Sequence, residues 1–221
     1  MTDRAESGST LAPSIVTGEE ALARNGSARN AQETLEGKVA RLLSGRTIVM
    51  VGMMGAGKSS IGRRLANRLG MPFADADAEI EQAANASIPE IFEQHGEAYF
   101  RDGERRVIQR LLDGTPKVLA TGGGAFIQPE TRAAIQANAV SIWLKADRDL
   151  LLSRVKRRNN RPLLKNGDPG EIIEKLIAER YPVYAEADVH IQSRDIAHDV
   201  VIDDILAALA EYLGREEVEE A

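Results

Sequence analysis

The sequence predicts an α/β protein of three layers, with a central parallel sheet of five strands lying between helices. Two observations carry the prediction. Between residues 46 and 213, short aliphatic runs alternate with longer segments whose apolar residues recur at helical spacing. Strands separated by helices in this way pair in parallel through right-handed crossovers, which places helices on both faces of the sheet. A chain of 221 residues also has room for one substantial core.

The elements follow in order. Arg46 to Val51 is an aliphatic run and reads as the first strand. In Lys58 to Leu69 the residues Ile61, Leu65 and Leu69 share a helical face, and Met71 to Ala74 is short and apolar again. Glu79 to Ala84 and Ile88 to Gln94 read as short helices. Tyr99 to Leu112 is a longer one, with Val107, Leu111 and Leu112 on its apolar side. Lys117 to Thr121 (KVLAT) is a strand that ends in three glycines. Thr131 to Ala137 is helical, Ala139 to Leu144 (AVSIWL) is a strand, and Asp147 to Arg158 is a helix that runs into a basic loop. Glu171 to Ala187 is helical, Val189 to Gln192 is the fifth strand, and His198 to Leu213 is a closing amphipathic helix. Ligands in such sheets bind beyond the carboxyl ends of the strands.

Residues 1–45 differ from the rest. They hold no aromatic residue and are rich in Ser, Ala, Gly and Asn, so they read as a mostly disordered extension, with nascent helices around residues 18–24 and 33–43. Asp3, Glu6, Glu19 and Glu20 fit neither a secretory signal nor a transit peptide, and a cytoplasmic protein is expected. Residues 214–221 (GREEVEEA) read as an acidic, solvated tail.

Composition excludes several classes. With 43% apolar and 28% charged residues, no stretch approaches the roughly 18 uninterrupted apolar residues of a membrane span. The absence of cysteine removes disulfides, thiolate metal sites and cysteine nucleophiles together. His95, His190 and His198 are too far apart for a histidine-rich metal site. A net charge of -6 argues against nucleic-acid binding by the whole surface, so any anion site must be local.

One such site is explicit. In GMMGAGKSS, the residues Gly52, Gly57, Lys58 and Ser59 satisfy G-x-x-x-x-G-K-[ST], and the match follows a strand and opens a helix. Glycines let successive amides approach phosphate oxygens with no Cβ in the way, and the helix adds the positive end of its dipole. Gly52, Gly55, Ala56, Gly57, Lys58, Ser59 and Ser60 are thus expected to cradle ATP, with Lys58 bridging the β- and γ-phosphates and the Ser59 hydroxyl on Mg²⁺. The alternative, a tight turn before a solvated lysine, does not need this spacing.

Three further stretches bear on what receives the phosphoryl group. In FADADAEIE, Asp75 and Asp77 project from the carboxyl edge of the second strand; one can serve the magnesium shell and the other an acceptor hydroxyl, while a plain reading makes Asp77 a helix N-cap. In LATGGGAF, Gly122, Gly123 and Gly124 suit close approach of backbone amides to a ligand, or a simple loop. From Leu151 to Lys165, Arg154, Lys156, Arg157, Arg158, Arg161 and Lys165 meet no acid. That run fits a flap closing an arginine over a triphosphate better than a nucleic-acid patch or a solvated helix face, since it lacks interleaved aromatics and enters an Asn-, Pro- and Gly-containing loop.

GMMGAGKSSIGRRLA, FADADAEIE, EAYFRDGE, LATGGGAF, NNRPLL and ERYPVYAEA occur in the order, and near the spacing, seen in shikimate kinases, and over about residues 46–213 the chain resembles that family. The resemblance implies a P-loop, nucleoside monophosphate kinase-like fold, with a substrate-binding insertion at 76–104 and a lid at 155–170. It implies ATP- and Mg²⁺-dependent phosphorylation of the 3-hydroxyl of shikimate by a monomer. Carried over by position, Asp77 orients the acceptor hydroxyl and receives its proton, and Asp75 lies near Mg²⁺. Arg101 and Arg180 hold the substrate carboxylate, and Gly122 to Gly124 form the glycine turn against the ring, with Gly123 as amide donor. Arg161 reaches the transferred phosphoryl group, and Arg154 and Arg194 lie by the nucleotide. The chain departs from the pattern at QSRDIAHDV, which keeps Arg194 but lacks the proline that many relatives place beside adenine. A gluconate kinase-like enzyme and a non-catalytic nucleotide-binding module are the rival readings.

Overall fold

In a computed structural model that describes residues 33–156 and 168–219, the aliphatic runs form one parallel sheet whose strand order explains where the chemistry gathers. The strands are β1 (Thr47–Val51), β2 (Phe73–Asp75), β3 (Val118–Ala120), β4 (Ala139–Ala146) and β5 (Val189–Ser193), in the order β2-β3-β1-β4-β5. Every pair is parallel, with Val49 of β1 opposite Leu119 on one side and Ser141 on the other. All five residues of β1 are buried, as a central strand covered on both faces requires. Edge strand β5 instead alternates buried and exposed.

The helices are α1 (Leu35–Leu43), α2 (Lys58–Leu69), α3 (Ala76–Ala84), α4 (Ile88–Leu112), α5 (Pro129–Asn138), α6 (Arg148–Lys156), α7 (Pro169–Tyr184) and α8 (His198–Glu219). Helices α1, α2 and α8 pack on one another, with α2 against β1, β2 and β3 and α8 against β5. α5 lies on β4 and against α4. The expected three-layer α/β fold with a five-stranded parallel sheet is therefore present. α2 has the bounds that its apolar spacing predicts, closed by Gly70 in a left-handed C-cap. α4 is broken at Gly96 (φ 80°, ψ 176°), the division expected between 94 and 99. Beside that break, Ile80, Ile91, Phe100 and Val107 make a small apolar core of their own, separate from the main one.

Three expectations need correction. First, the helix expected around residues 33–43 is present as α1, but it is part of the domain rather than nascent in a disordered extension: its Val39, Leu42 and Leu43 join the main core. Thr34 caps it by accepting the Gly37 N–H at 3.1 Å, and Arg41 reaches Glu217 of α8 at 3.1 Å. Second, the acidic tail is helical through Glu219, where Glu216 receives Arg46 at 2.8 Å; the two ends of the domain cover each other. Third, the helix after β2 begins at Ala76 rather than Glu79, and its N-cap is Asp75, not Asp77. The Asp75 carboxylate accepts the Asp77 N–H at 3.1 Å.

Candidate active site

At the carboxyl end of β1 the chain turns through residues 52–57 into α2. Gly52 sits at φ 133°, and a Cβ there would stand 2.8 Å from the Leu144 carbonyl oxygen, so only glycine fits. Lys58 is 8% exposed, and its ammonium donates to the carbonyls of Gly52 (2.8 Å) and Met53 (3.0 Å), which holds it over the mouth of the loop. Ser59 and Ser60 stand exposed at the first turn of α2, where the free amides and the helix dipole favour an anion.

Because β3 lies between β1 and β2, the ends of these strands put two further groups beside the loop. The Ser59 hydroxyl donates to the Asp75 carboxylate at 2.6 Å. This hydroxyl and carboxylate are hard oxygen donors of the kind Mg²⁺ takes while keeping several waters, so the residues suit that ion, although among the described residues no three His, Cys, Asp or Glu side chains are grouped so that they could hold a metal by themselves. Asp77, the second residue of α3, reaches the glycines after β3: the position of a Cβ on Gly122 is 2.8 Å from Asp77 Oδ1 and 2.8 Å from Glu104 Oε1.

The two arginines come from different helices to the same turn. Arg101 on α4 donates to Glu104 (2.7 Å) and Glu97 (3.1 Å) and lies so close to Gly124 that a Cβ there would meet its Nη1 at 2.5 Å. Arg180 on α7 donates to the Gly123 carbonyl at 3.1 Å. Glu104 did not emerge as a site residue from the sequence, although it closes the quoted EAYFRDGE. Its spacing of three from Arg101, on one helix face, was the available signal. It is 1% exposed, and its Oε1 makes no hydrogen bond among the described residues. Burial holds this carboxyl above the usual carboxylate range despite the Arg101 charge, and the nearby Asp77 adds to the effect. Arg101 in turn is buried, which disfavours its charge, yet the Glu104 carboxylate more than offsets that and keeps the guanidinium firmly protonated.

On the other side of β1, Arg154 of α6 ties the phosphate loop to the end of β5. Its guanidinium donates to Ala56 O (3.3 Å), Ser193 Oγ (3.1 Å) and Arg194 O (3.1 Å), and the Ser193 hydroxyl itself donates to Ala56 O at 2.9 Å. The Arg194 side chain turns toward Asp204 of α8. The structure thus brings Lys58, Ser59, Asp75, Asp77, Arg101, Gly122 to Gly124, Arg154 and Arg180 to one edge of the sheet, leaves the Arg194 guanidinium on α8, and Arg161 lies outside the described residues.

Comparison with known proteins places this arrangement. A family model described as "Shikimate kinase" matches residues 54–210. A curated shikimate kinase of Rhodopseudomonas palustris is 61% identical over 178 residues, which is 80% of this chain and 88% of that one. Among solved structures, shikimate kinase from Acinetobacter baumannii in complex with shikimate has a TM-score of 0.72 at 38% identity and covers 76% of this chain and 94% of its own. A gluconokinase from Sinorhizobium meliloti has a TM-score of 0.56 at 18% identity over 80% of this chain and 98% of its own, a likeness of fold alone. With a family model over residues 54–210 and relatives of such identity, the chain belongs to the shikimate kinase family.

Proposed function

We propose that the protein transfers the γ-phosphoryl group of ATP to the 3-hydroxyl of shikimate, giving shikimate 3-phosphate and ADP. One observation carries the reading: guanidinium groups from α4 and α7 converge on the Gly122–Gly124 turn, beside Asp77 and next to the phosphate loop. A small acid with several hydroxyls needs that set, with paired cationic forks for its carboxylate and an anionic oxygen for the hydroxyl that reacts.

Phosphoryl transfer proceeds through a loose transition state, so the protein contributes position and charge more than covalent chemistry. The amides of residues 52–57 and the start of α2 hold the triphosphate. Lys58 neutralises charge on the β- and γ-oxygens, and Asp77 aligns the acceptor oxygen and takes its proton as the new P–O bond forms and the bond to ADP breaks. Mg²⁺, held by Ser59 and Asp75, would supply further neutralisation of the phosphate oxygens. Arg161, within a lid over 155–170, closes on the transferred group and excludes water. The insertion at 76–104 carries Asp77 and Arg101, while Arg154 serves the nucleoside end together with the backbone of Arg194, to whose carbonyl it donates; the Arg194 side chain would have to leave Asp204 to join them. We assign a cytoplasmic monomer with no nucleic-acid or membrane partner; no described helix is long and apolar enough to cross a membrane.

The test is ADP release from ATP and Mg²⁺ with shikimate, with gluconate, and with neither. Release that depends on shikimate alone is expected. Dependence on gluconate would establish the rival kinase, and nucleotide binding with no acceptor-dependent release would establish a non-catalytic module.

A further inference from the structure

Helix α7 carries Arg180 and Tyr184 one turn apart on the same face. Both side chains end on one atom, the carbonyl oxygen of Gly123, which accepts from Arg180 Nη1 at 3.1 Å and from the Tyr184 hydroxyl. Tyr184 is 0% exposed and packs against Trp143 and Tyr181, with ring centroids 6.0 and 6.3 Å away. Burial pushes its hydroxyl up to about 12, so the group stays a proton donor at any working pH. A buried hydroxyl must find a partner, and here it finds the middle residue of a turn that has no side chains with which to hold itself in place.

That choice of partner has a consequence for the acceptor. In a planar trans peptide the C=O and the following N–H point in opposite directions. With the Gly123 oxygen pinned on the α7 side, the N–H of Gly124 is turned away from α7. Gly124 is the residue whose missing Cβ leaves room for the Arg101 guanidinium, which would lie 2.5 Å from such an atom. Arg180 alone is a poor anchor for this peptide, because the proposed function also assigns its guanidinium to the acceptor. Tyr184, fixed among aromatic rings and with a single hydroxyl, has no such second duty.

We infer that Tyr184 is a positioning residue for the acceptor: it fixes the Gly123–Gly124 peptide so that the Gly124 N–H meets the carboxylate gripped by Arg101 and Arg180. The inference rests on the reading of shikimate as acceptor. It adds to that reading a residue that touches neither substrate nor nucleotide.

The experiment compares wild type, Tyr184→Phe and Tyr181→Phe. Tyr181 is the control, since its hydroxyl is also bonded to a backbone carbonyl, that of Ala146, away from the glycine turn. Each protein is assayed with shikimate and with the analogue whose carboxylate is replaced by hydroxymethyl, taken as substrate or as competitive inhibitor. Losing one hydrogen bond in the turn is expected to raise the KM for shikimate about tenfold in Tyr184→Phe, with kcat and the KM for ATP changed less than about twofold. The uncharged analogue should hardly respond, and Tyr181→Phe should keep the wild-type KM. A wild-type KM in Tyr184→Phe, an equal loss for both acceptors, or the same loss in Tyr181→Phe overturns the inference. Should Tyr184→Phe not fold, the Gly124 amide resonance of wild type decides: it must shift when shikimate is added, and an unmoved resonance overturns the inference. Wild type that leaves shikimate untouched defeats the functional reading as well, whereas an active wild type with an unresponsive variant defeats this inference alone.

Discussion

Substituting Gly124 by alanine adds one carbon where the Arg101 guanidinium now lies. The new Cβ would stand 2.5 Å from Nη1, 2.7 Å from Nη2 and 2.8 Å from Cζ. Ordinary contact is about 3.5 Å or more, so the guanidinium must withdraw by about 1 Å. Its bond to Glu104 is 2.7 Å long, and a shift of that size carries it past hydrogen-bonding distance. The far end of an arginine can move, so the fold survives, but the cationic fork leaves the place proposed for it at the acceptor carboxylate. A lost charge-assisted hydrogen bond is worth about 1.5–3 kcal/mol, which corresponds to roughly a tenfold to hundredfold fall in kcat/KM for shikimate. The KM for ATP should stay near wild type. The assay is ADP release at saturating ATP over a range of shikimate concentrations. A Gly124→Ala enzyme with kcat/KM for shikimate within about twofold of wild type would refute the placement of Arg101 at the acceptor.

Other consequences follow from the same geometry. Asp77→Asn should lower kcat by about 10²–10⁴-fold with little effect on the KM for ATP, as loss of a positioned base does; single-turnover kinetics with near-normal rates would remove Asp77 from the reaction. Glu104 gives a pH signature. Its folded pKa is raised above the usual 4.5, so the stability it contributes is fully present below that value and is lost as pH rises through the raised folded value. Urea melts of wild type and Glu104→Gln should therefore show the wild-type advantage shrinking as pH rises from about 4.5 toward neutrality, and an advantage that grows instead contradicts the assigned burial. Removing residues 1–45 deletes α1 and its three buried aliphatic side chains. At about 1.5–3 kcal/mol each, the truncated protein should melt roughly 10 °C or more below the full chain. Coincident melting curves would show that α1 adds nothing to the core.

The parts of the fold that were legible in the sequence are those specified locally. α2 could be bounded to the residue because glycines flank it and Ile61, Leu65 and Leu69 share a face. The kink in α4 could be anticipated because Gly96 interrupts an otherwise helical stretch. Where local chemistry is ambiguous, the reading slipped. Asp75 and Asp77 are equally good caps by residue type, and only the tertiary position of β2 makes Asp75 the cap. A nine-residue helix such as α1 is marginal alone and forms because α8 covers it, a fact that no window of residues 33–43 contains. The turn through residues 52–57 into α2 was legible, since the spacing of Gly52, Gly57 and Lys58 encodes that geometry. Arg101 and Arg180 were placed by motif rather than by physics, for an arginine on a helix is ordinarily solvated. Glu104 was missed for the same reason: a glutamate in an amphipathic helix reads as surface, and its burial beneath Gly122 follows from how α4 docks on the turn after β3.

The most direct measurement is the structure of the product. Purified protein, ATP, Mg²⁺ and shikimate are incubated together, and the acceptor is examined by ³¹P and ¹H NMR. A single phosphate ester on the 3-oxygen, with one ADP formed for each ester, is the result predicted by an acceptor seated between the two guanidinium groups and turned toward Asp77. Phosphate on another oxygen, or ADP formed while shikimate is recovered unchanged, would contradict that seating.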